Sequence, residues 1–432
     1  MPSLVRKQWT MVGLLFLFMV INFSDKLVLG IVAIPMRKEL ALSAEQFGFI
    51  GSSFFFLFSV SAIVVGFLAD RTPTKRLLAG LAVVWSICQL PIAFAASFTT
   101  ITLARVVLGA AEGPASPLCV HALYKWFDDK SRTLPAGFTN SIGAAMGMLV
   151  AAPLLTWISH AYGWRAPFIF LAVVGAVWVV AWLVLGEDGP IRDEVEAGVP
   201  AGRPRRGYAA TLLSWSYAGI CLCGFAAYWA NALLVIWVPT FLVEAHGYAQ
   251  ANAAWVVSLI SLATGIGSLA SSALSQLAVR RGASSRHARA LPLAACTFLG
   301  GVALWAASQA EGPLLLAALV AGFGAMAAVF PLAFVMVGEL SPVATRGSAL
   351  AICSAISTSA GVIAPLTMGF AVQRAVSPAQ GFEHGFMIAA TLGLCCAALG
   401  AFLIRPDRDG FARRSAAPDP SPRSQPPTVA VE

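Results

Sequence analysis

The sequence predicts an all-α membrane protein of twelve transmembrane helices arranged as two pseudo-symmetric six-helix halves. Three observations carry that expectation. The 432 residues are 58% hydrophobic and only 11% charged, whereas soluble domains average about 25% charged. Continuous apolar blocks of about 20 residues recur along the chain, each long enough to cross a hydrocarbon core of roughly 30 Å as a helix. Charged residues collect between those blocks. Continuity favours helices, because barrel strands alternate apolar and polar residues.

The predicted spans are 9–33, 46–69, 77–97, 99–122, 134–158, 166–185, 210–237, 251–278, 290–308, 313–336, 348–371 and 384–404. The first follows a short basic start, Met1 to Lys7. It reads as a retained helix, not a signal peptide, because it is long, holds Asn22, Asp25 and Lys26, and lacks a small-residue cleavage site. Charge, Gly and Pro concentrate between spans six and seven. This divides the chain into residues 1–190, a cytoplasmic linker 191–208, and residues 209–405. Residues 406–432 hold six prolines and scattered charges, the composition of a disordered tail.

Basic residues set the orientation. Twenty-two of the 28 Lys and Arg fall in segments that share a side with the N-terminus, and only Arg37, Lys38, Arg165 and Arg374 fall opposite. The positive-inside rule then puts both termini in the cytoplasm of a cell inner membrane. The net charge of +8 is thus a topology signal, and implies no nucleic-acid partner. The eight cysteines lie within apolar blocks without disulfide or zinc spacing, and read as small core residues. The run Phe54 to Phe58 wraps its helix all round, so most of it should pack or face lipid. Gly143 and Gly147 suit close helix contact. His121, near the cytoplasmic end of span four, reads as an interface residue.

Four ionisable residues break the apolar pattern: Asp25 and Lys26 in span one, Arg105 and Glu112 in span four. On insertion scales each costs about 2.5–3.5 kcal/mol at the bilayer centre, which makes it a functional-site candidate. Residues seven apart return to nearly one helix face, about 10 Å along the axis. Arg105 and Glu112 therefore share a stripe without touching, leaving room between them for an anion or a span-one residue. Asp25 and Lys26 are adjacent and point about 100° apart, so they are not a facing pair.

The segment Gly66-Phe67-Leu68-Ala69-Asp70-Arg71 followed by Lys75-Arg76 resembles the loop signature of the major facilitator superfamily. Ile21-Asn22-Phe23-Ser24-Asp25-Lys26 and Arg105 to Glu112-Gly113-Pro114 look like its anion:cation symporter branch. Lys125-Trp126-Phe127, Trp237-Val238-Pro239 and Arg346-Gly347 leading to Gly361 and Pro365 are similar too. The two halves also echo each other, in Leu68-Ala69 against Leu277-Ala278 and in Ala152-Pro153-Leu154 against Ala364-Pro365-Leu366, as in transporters built from repeats.

The resemblance implies proton-coupled symport of a small organic anion, a carboxylate, by a monomer needing no cofactor. Asp25 and Glu112 match the proton-carrying acids, Lys26 and Arg105 the substrate-side cations, and Gly66, Asp70, Arg71 and Arg76 the cytoplasmic gate. Asn22, Tyr228, Asn231, Trp237, Ser354 and Thr358 are candidate lining residues. Three departures stand out. Lys26 replaces the branch's arginine and its bidentate fork. Phe23 replaces a tyrosine, and Ser354 and Thr358 stand where sugar-acid carriers tend to have asparagines. Together they lean toward a more apolar or aromatic carboxylate.

The alternatives weighed are a proton antiporter exporting a metabolite or drug, and a transporter-like receptor. Residues 139–153 lack the antiporter pattern G-x-x-x-G-P-x-x-G-G, and two embedded cations suit an anion better than a cationic drug. A receptor has no need of protonatable acids. No Walker-type phosphate loop, metal set or nucleophile elbow points to an enzyme. Topology is checked by fusing a fluorescent reporter after Arg405 and a periplasm-dependent phosphatase after Lys38. Both should be active, and an active phosphatase at the C-terminus overturns the orientation.

Overall fold

The computed structural model describes residues 2–69, 71–94, 97–127, 133–190, 211–341 and 345–409. Twelve membrane-length helices cross the bundle: Leu4–Ile31, Ala44–Ala69, Thr74–Phe94, Phe98–Tyr124, Pro135–Tyr162, Ala166–Leu185, Trp215–Ile236, Gln250–Arg280, Arg286–Gln309, Gly312–Leu340, Arg346–Arg374 and Pro378–Leu403. They are called spans one to twelve below. Local chemistry starts several of them. Ser43 Oγ accepts from Gln46 N at 3.1 Å while Gln46 Oε1 accepts from Ser43 N at 3.0 Å, a capping box that opens span two. Ser97 and Ser214 cap spans four and seven through Thr100 N and Tyr217 N.

Within each half the spans pack on one another, one against five and three against six, then nine against twelve and seven against twelve. The halves meet mainly where span two packs on span eleven and span five on span eight. A six-helix repeat exchanges two with eight and five with eleven, so these two contacts are pseudo-symmetric copies. Gly143 and Gly147 pack against Met19 and Val20 of span one.

With an even number of spans, both ends of the described chain lie at one end of the bundle, the terminal end; the other is the distal end. Contacts between halves concentrate distally. Arg37 Nη1 lies 3.1 Å from Glu244 Oε1, Ala44 N donates to Gln373 Oε1 at 3.1 Å, and Gln250 Nε2 donates to Ile31 O at 3.0 Å. Ser258 Oγ donates to Leu149 O at 2.8 Å. Gly48 of span two lies against the backbone of Pro365 and Gly369 in span eleven, so close that a Cβ on either glycine would collide with the facing backbone. Toward the terminal end, by contrast, the stretch Phe58–Ala69 of span two buries no side chain. Past Ser261, span eight buries only Ser275. The two halves close distally and part at the terminal end.

Glu39, after span one, accepts from Trp164 Nε1 at 2.7 Å and Arg165 Nη1 at 2.6 Å. Those two donors hold its carboxyl below the usual carboxylate range and tie the first distal loop to the start of span six.

Two sequence expectations need correction. Cys395 is exposed and Cys296 half-buried, because their helix faces point outward, where a thiol is apolar enough to sit; the other six are buried. The tail does not begin unstructured: Pro406–Asp409 form a helical turn, docked by Asp409 Oδ2 accepting from Ser216 Oγ at 2.7 Å. That acid gave the turn a buried anchor that composition did not reveal. The linker 191–208, the tail beyond Asp409 and Asp70 lie outside the described residues.

Overpacking a tight contact costs about 1–3 kcal/mol, roughly 5- to 150-fold in a two-state equilibrium. Gly369→Leu should therefore shift the protein away from distal closure. Spin labels at Lys38→Cys and Ala249→Cys should report a longer distance distribution in that variant; an unchanged distribution contradicts the role given to this seam.

Candidate functional site

Asn22 and Lys26 are four residues apart, so they share one face of span one. Lys26 Nζ donates to Asn22 Oδ1 and lies 3.4 Å from Glu112 Oε2 of span four. Asp25, on the neighbouring face, lies within electrostatic reach of Glu112, Lys26 and Arg105, with the Gln89 amide of span three beside it. Asp25, Arg105 and Glu112 are each 1% exposed and Lys26 8%. The structure thus brings all four ionisable residues into one interior cluster. Lys26 is the span-one residue that enters the space beside Glu112.

The cluster is under-bonded. Among the described residues, both carboxylate oxygens of Asp25, both amide atoms of Gln89, and Arg105 Nε and Nη1 have no hydrogen-bond partner. Buried polar atoms normally have one, and unsatisfied ones cost about 1–3 kcal/mol each. Such a cluster holds spare capacity to bind protons and an anion.

Span two is interrupted beside it. Regular helix stops at Ser53 and resumes at Phe58. Between them Phe55 N bonds Ser52 O at 2.9 Å and Phe56 N bonds Ser53 O at 3.3 Å, one residue short of α-helical spacing. Gly109 and Gly113 of span four let this irregular backbone approach; a Cβ at either would strike the carbonyl of Phe54 or Phe58. The break turns rings onto cations. Phe54 lies 4.6 Å from Arg105 Cζ, and Lys26 Nζ stands 5.6 Å from Phe58 and 4.3 Å from Phe23. Contacts of this kind are worth about 2 kcal/mol or more when desolvated. The Phe54 to Phe58 run, expected mostly to pack or face lipid, thus splits: Phe56 and Leu57 point outward, while Phe54 and Phe55 are buried.

Spans one and seven are the most buried of the twelve, yet each has an accessible strip at helical spacing. These are Gly13, Leu17, Val20 and Phe23, and Leu222, Phe225, Tyr228 and Asn231. They line a cleft between the halves that opens at the terminal end. Tyr228 reaches the cluster from the C-terminal half: its ring meets Phe55 edge-on at 5.8 Å, and it lies within electrostatic reach of Glu112. Thr358 donates to Ser354 O at 2.9 Å, and its hydroxyl lies 2.6 Å from Ser59 Oγ, another bridge between halves. Ser354 is half-buried. Trp237 does not reach the cleft. It is fully buried and donates to Pro365 O at 3.0 Å, so it packs the distal closure. Gly66 lines a groove with Pro114, Pro117 and His121, and Arg71 and Arg76 are exposed at the terminal end.

Sequence reasoning missed Gln89, Phe54 and Phe58. Gln89 had a readable signal, a mid-span amide. The phenylalanines had none, because their direction depends on the helix break.

Twelve spans in two pseudo-symmetric halves around an interior ionisable cluster define a secondary-transporter fold. A model of the Major Facilitator Superfamily matches residues 14–285 and 220–431, and the chain belongs to that superfamily. Its full-length relatives fall in the organic-anion and sugar-acid branch that the motifs resembled. The chain is 26% identical over 409 residues to a hexuronate transporter of Bacillus subtilis, covering 91% of this chain and 94% of that one. It is 25% identical to a probable sulfoacetate transporter of Cupriavidus necator, covering 94% and 96%, and 24% identical to a D-galactonate transporter of Escherichia coli, covering 85% and 90%. In fold it is similar to a bacterial homolog of the human lysosomal transporter Spinster, with a TM-score of 0.76, 17% identity, and 94% and 98% of the chains covered. A D-xylose–proton symporter gives 0.72, 16% identity, and 92% and 98%.

Breaking one side of a buried charge pair costs about 3–5 kcal/mol, whereas replacing both sides with apolar or neutral groups can be near neutral. Lys26→Met and Glu112→Gln should each lower the unfolding temperature in detergent, and the double variant should lose less than their sum. Strict additivity contradicts the pairing.

Proposed function

We propose that the protein is a proton-coupled symporter that takes up a small organic carboxylate by alternating access. The observation that carries this reading is the interior pairing of Lys26 with Glu112 beside under-bonded Asp25 and Arg105. The names of the relatives, all organic-anion carriers, support the anion.

Lys26 and Arg105 are the anion's counterions, and Asp25 and Glu112 carry protons. An anion at Lys26 competes with Glu112 for the ammonium, and a carboxylate released from its cation takes up a proton more readily. Solute and proton therefore favour each other's binding, provided the two global states differ in affinity for both. Asn22 orients Lys26. Tyr228, Asn231, Ser354 and Thr358 present the C-terminal half to the solute, while Trp237 packs the distal closure. Gly66, Asp70, Arg71 and Arg76 latch the terminal end when it shuts. With both termini in the cytoplasm, the described conformation faces inward, and the Arg37–Glu244 pair lies in its closed outer gate. The unit works as a monomer in the inner membrane.

Proteoliposomes with an inward proton gradient test the cycle, using a panel of carboxylates. Wild type should accumulate its substrate at least tenfold above equilibrium. Glu112→Gln and Asp25→Asn should abolish accumulation yet retain solute exchange. Gradient-driven accumulation unchanged in both variants rejects the proton roles.

A further inference from the structure

The rings around the cation pair bear on what kind of body the anion carries. Both interior cations are faced by rings as well as by polar partners: Lys26 by Phe23 and Phe58 beside Asn22 and Glu112, Arg105 by Phe54. Across the seam the surface continues aromatic. Phe55 and Phe330 each meet the Tyr228 ring nearly at right angles, at 5.8 and 6.1 Å. The Phe55 ring also lies directly on Gly361, where any side chain would collide with it. The ring surface therefore runs unbroken from the cation pair in one half to span eleven in the other.

Apart from the ionisable cluster itself, with its unpaired Gln89 amide and Asn22 Nδ2, free polar groups are few. Asn22 Oδ1 accepts from Lys26, the Thr358 hydroxyl is shared between Ser354 O and Ser59, and the Ser357 hydroxyl donates to Cys353 O at 2.8 Å. The Tyr228 hydroxyl, the Asn231 amide and the Ser354 hydroxyl remain. A polyhydroxylated acid enclosed here leaves several hydroxyls without partners, which is costly in a desolvated site. An aromatic ring needs none, and gains edge-to-face contact with the rings already present.

We propose that the transported anion is an aryl carboxylate: its carboxylate sits between Lys26 and Arg105, and its ring packs among Phe55, Phe58 and Tyr228. This rests on the anion-symport reading above and deepens it. Pocket chemistry of this kind, mostly aromatic with a few placed polar groups, fixes an amphipathic ligand by its charged end and selects it by its body.

Calorimetric titration of the purified full-length chain tests it with phenylacetate and cyclohexylacetate against galacturonate and galactonate. Phenylacetate should bind at least tenfold more tightly than either sugar acid and at least threefold more tightly than cyclohexylacetate. Phe55→Leu and Phe58→Leu keep the apolar volume, and each should weaken phenylacetate at least fivefold; Lys26→Met should abolish its binding. Tighter galacturonate or galactonate, still dependent on Lys26, overturns the aryl assignment and leaves anion transport standing. Equal binding of cyclohexylacetate, or phenylacetate binding indifferent to both leucine variants, overturns the ring contacts. Binding of no anion, or binding unaffected by Lys26→Met, overturns the aryl assignment together with the reading beneath it.

Discussion

Ionisable side chains inside a lipid-spanning bundle must find their partners within the protein, and in this chain four of them meet in one place. Asp25, Lys26, Arg105 and Glu112 are buried in the N-terminal half, where lipid offers no hydrogen bonds. Much of the local architecture follows from accommodating them. Spans one and four must face each other to bring Lys26 to Glu112. Span two must leave regular helix to turn Phe54 and Phe58 onto the cations. Span four must carry Gly109 and Gly113, because only a residue without a side chain admits the displaced carbonyls of span two. Charge, helix break and glycine spacing are one solution to one electrostatic problem.

The halves share a helical scaffold but divide the chemistry. Sequence places all four interior charges in spans one and four, and the C-terminal half meets span two beside them, with the Tyr228 ring on Phe55 and the Thr358 hydroxyl on Ser59. Distally the halves press backbone on backbone at Gly48 and Gly369; toward the terminal end, the last stretch of span two buries no side chain. A bundle sealed by small residues at one end and parted at the other is a rigid-body arrangement, since glycine contacts seal without interlocking side chains.

Much of this was legible in the sequence. Twelve apolar blocks gave the spans to within a few residues, because hydrocarbon thickness imposes a length that composition reveals. The four charges were legible for the same reason: in apolar helices an ionisable residue stands out. The spacing of Arg105 and Glu112 left a gap, and the structure brings Lys26 to its Glu112 end. What sequence did not reveal were features set by tertiary geometry. Phe54 and Phe56 are alike as letters, and only the interruption of span two decides which faces Arg105 and which faces outward. Trp237 looked like a lining residue, but its N–H is taken by Pro365 O. Pro406 to Asp409 read as tail because a single docking acid leaves no pattern.

The rings over the cations bear on the half of a carrier's work that moves nothing. In the proposed cycle the unloaded protein has to swing back without its anion, and a cation left short of partners in a dry crevice would slow that stroke. On that proposal Phe23, Phe54 and Phe58 offer Lys26 and Arg105 a weak, ever-present stand-in for the departed anion. A π-face holds a cation less firmly than a carboxylate does, so fresh cargo displaces it with ease. On the same proposal, the vacant machine is kept quiet between trips by its own phenylalanines.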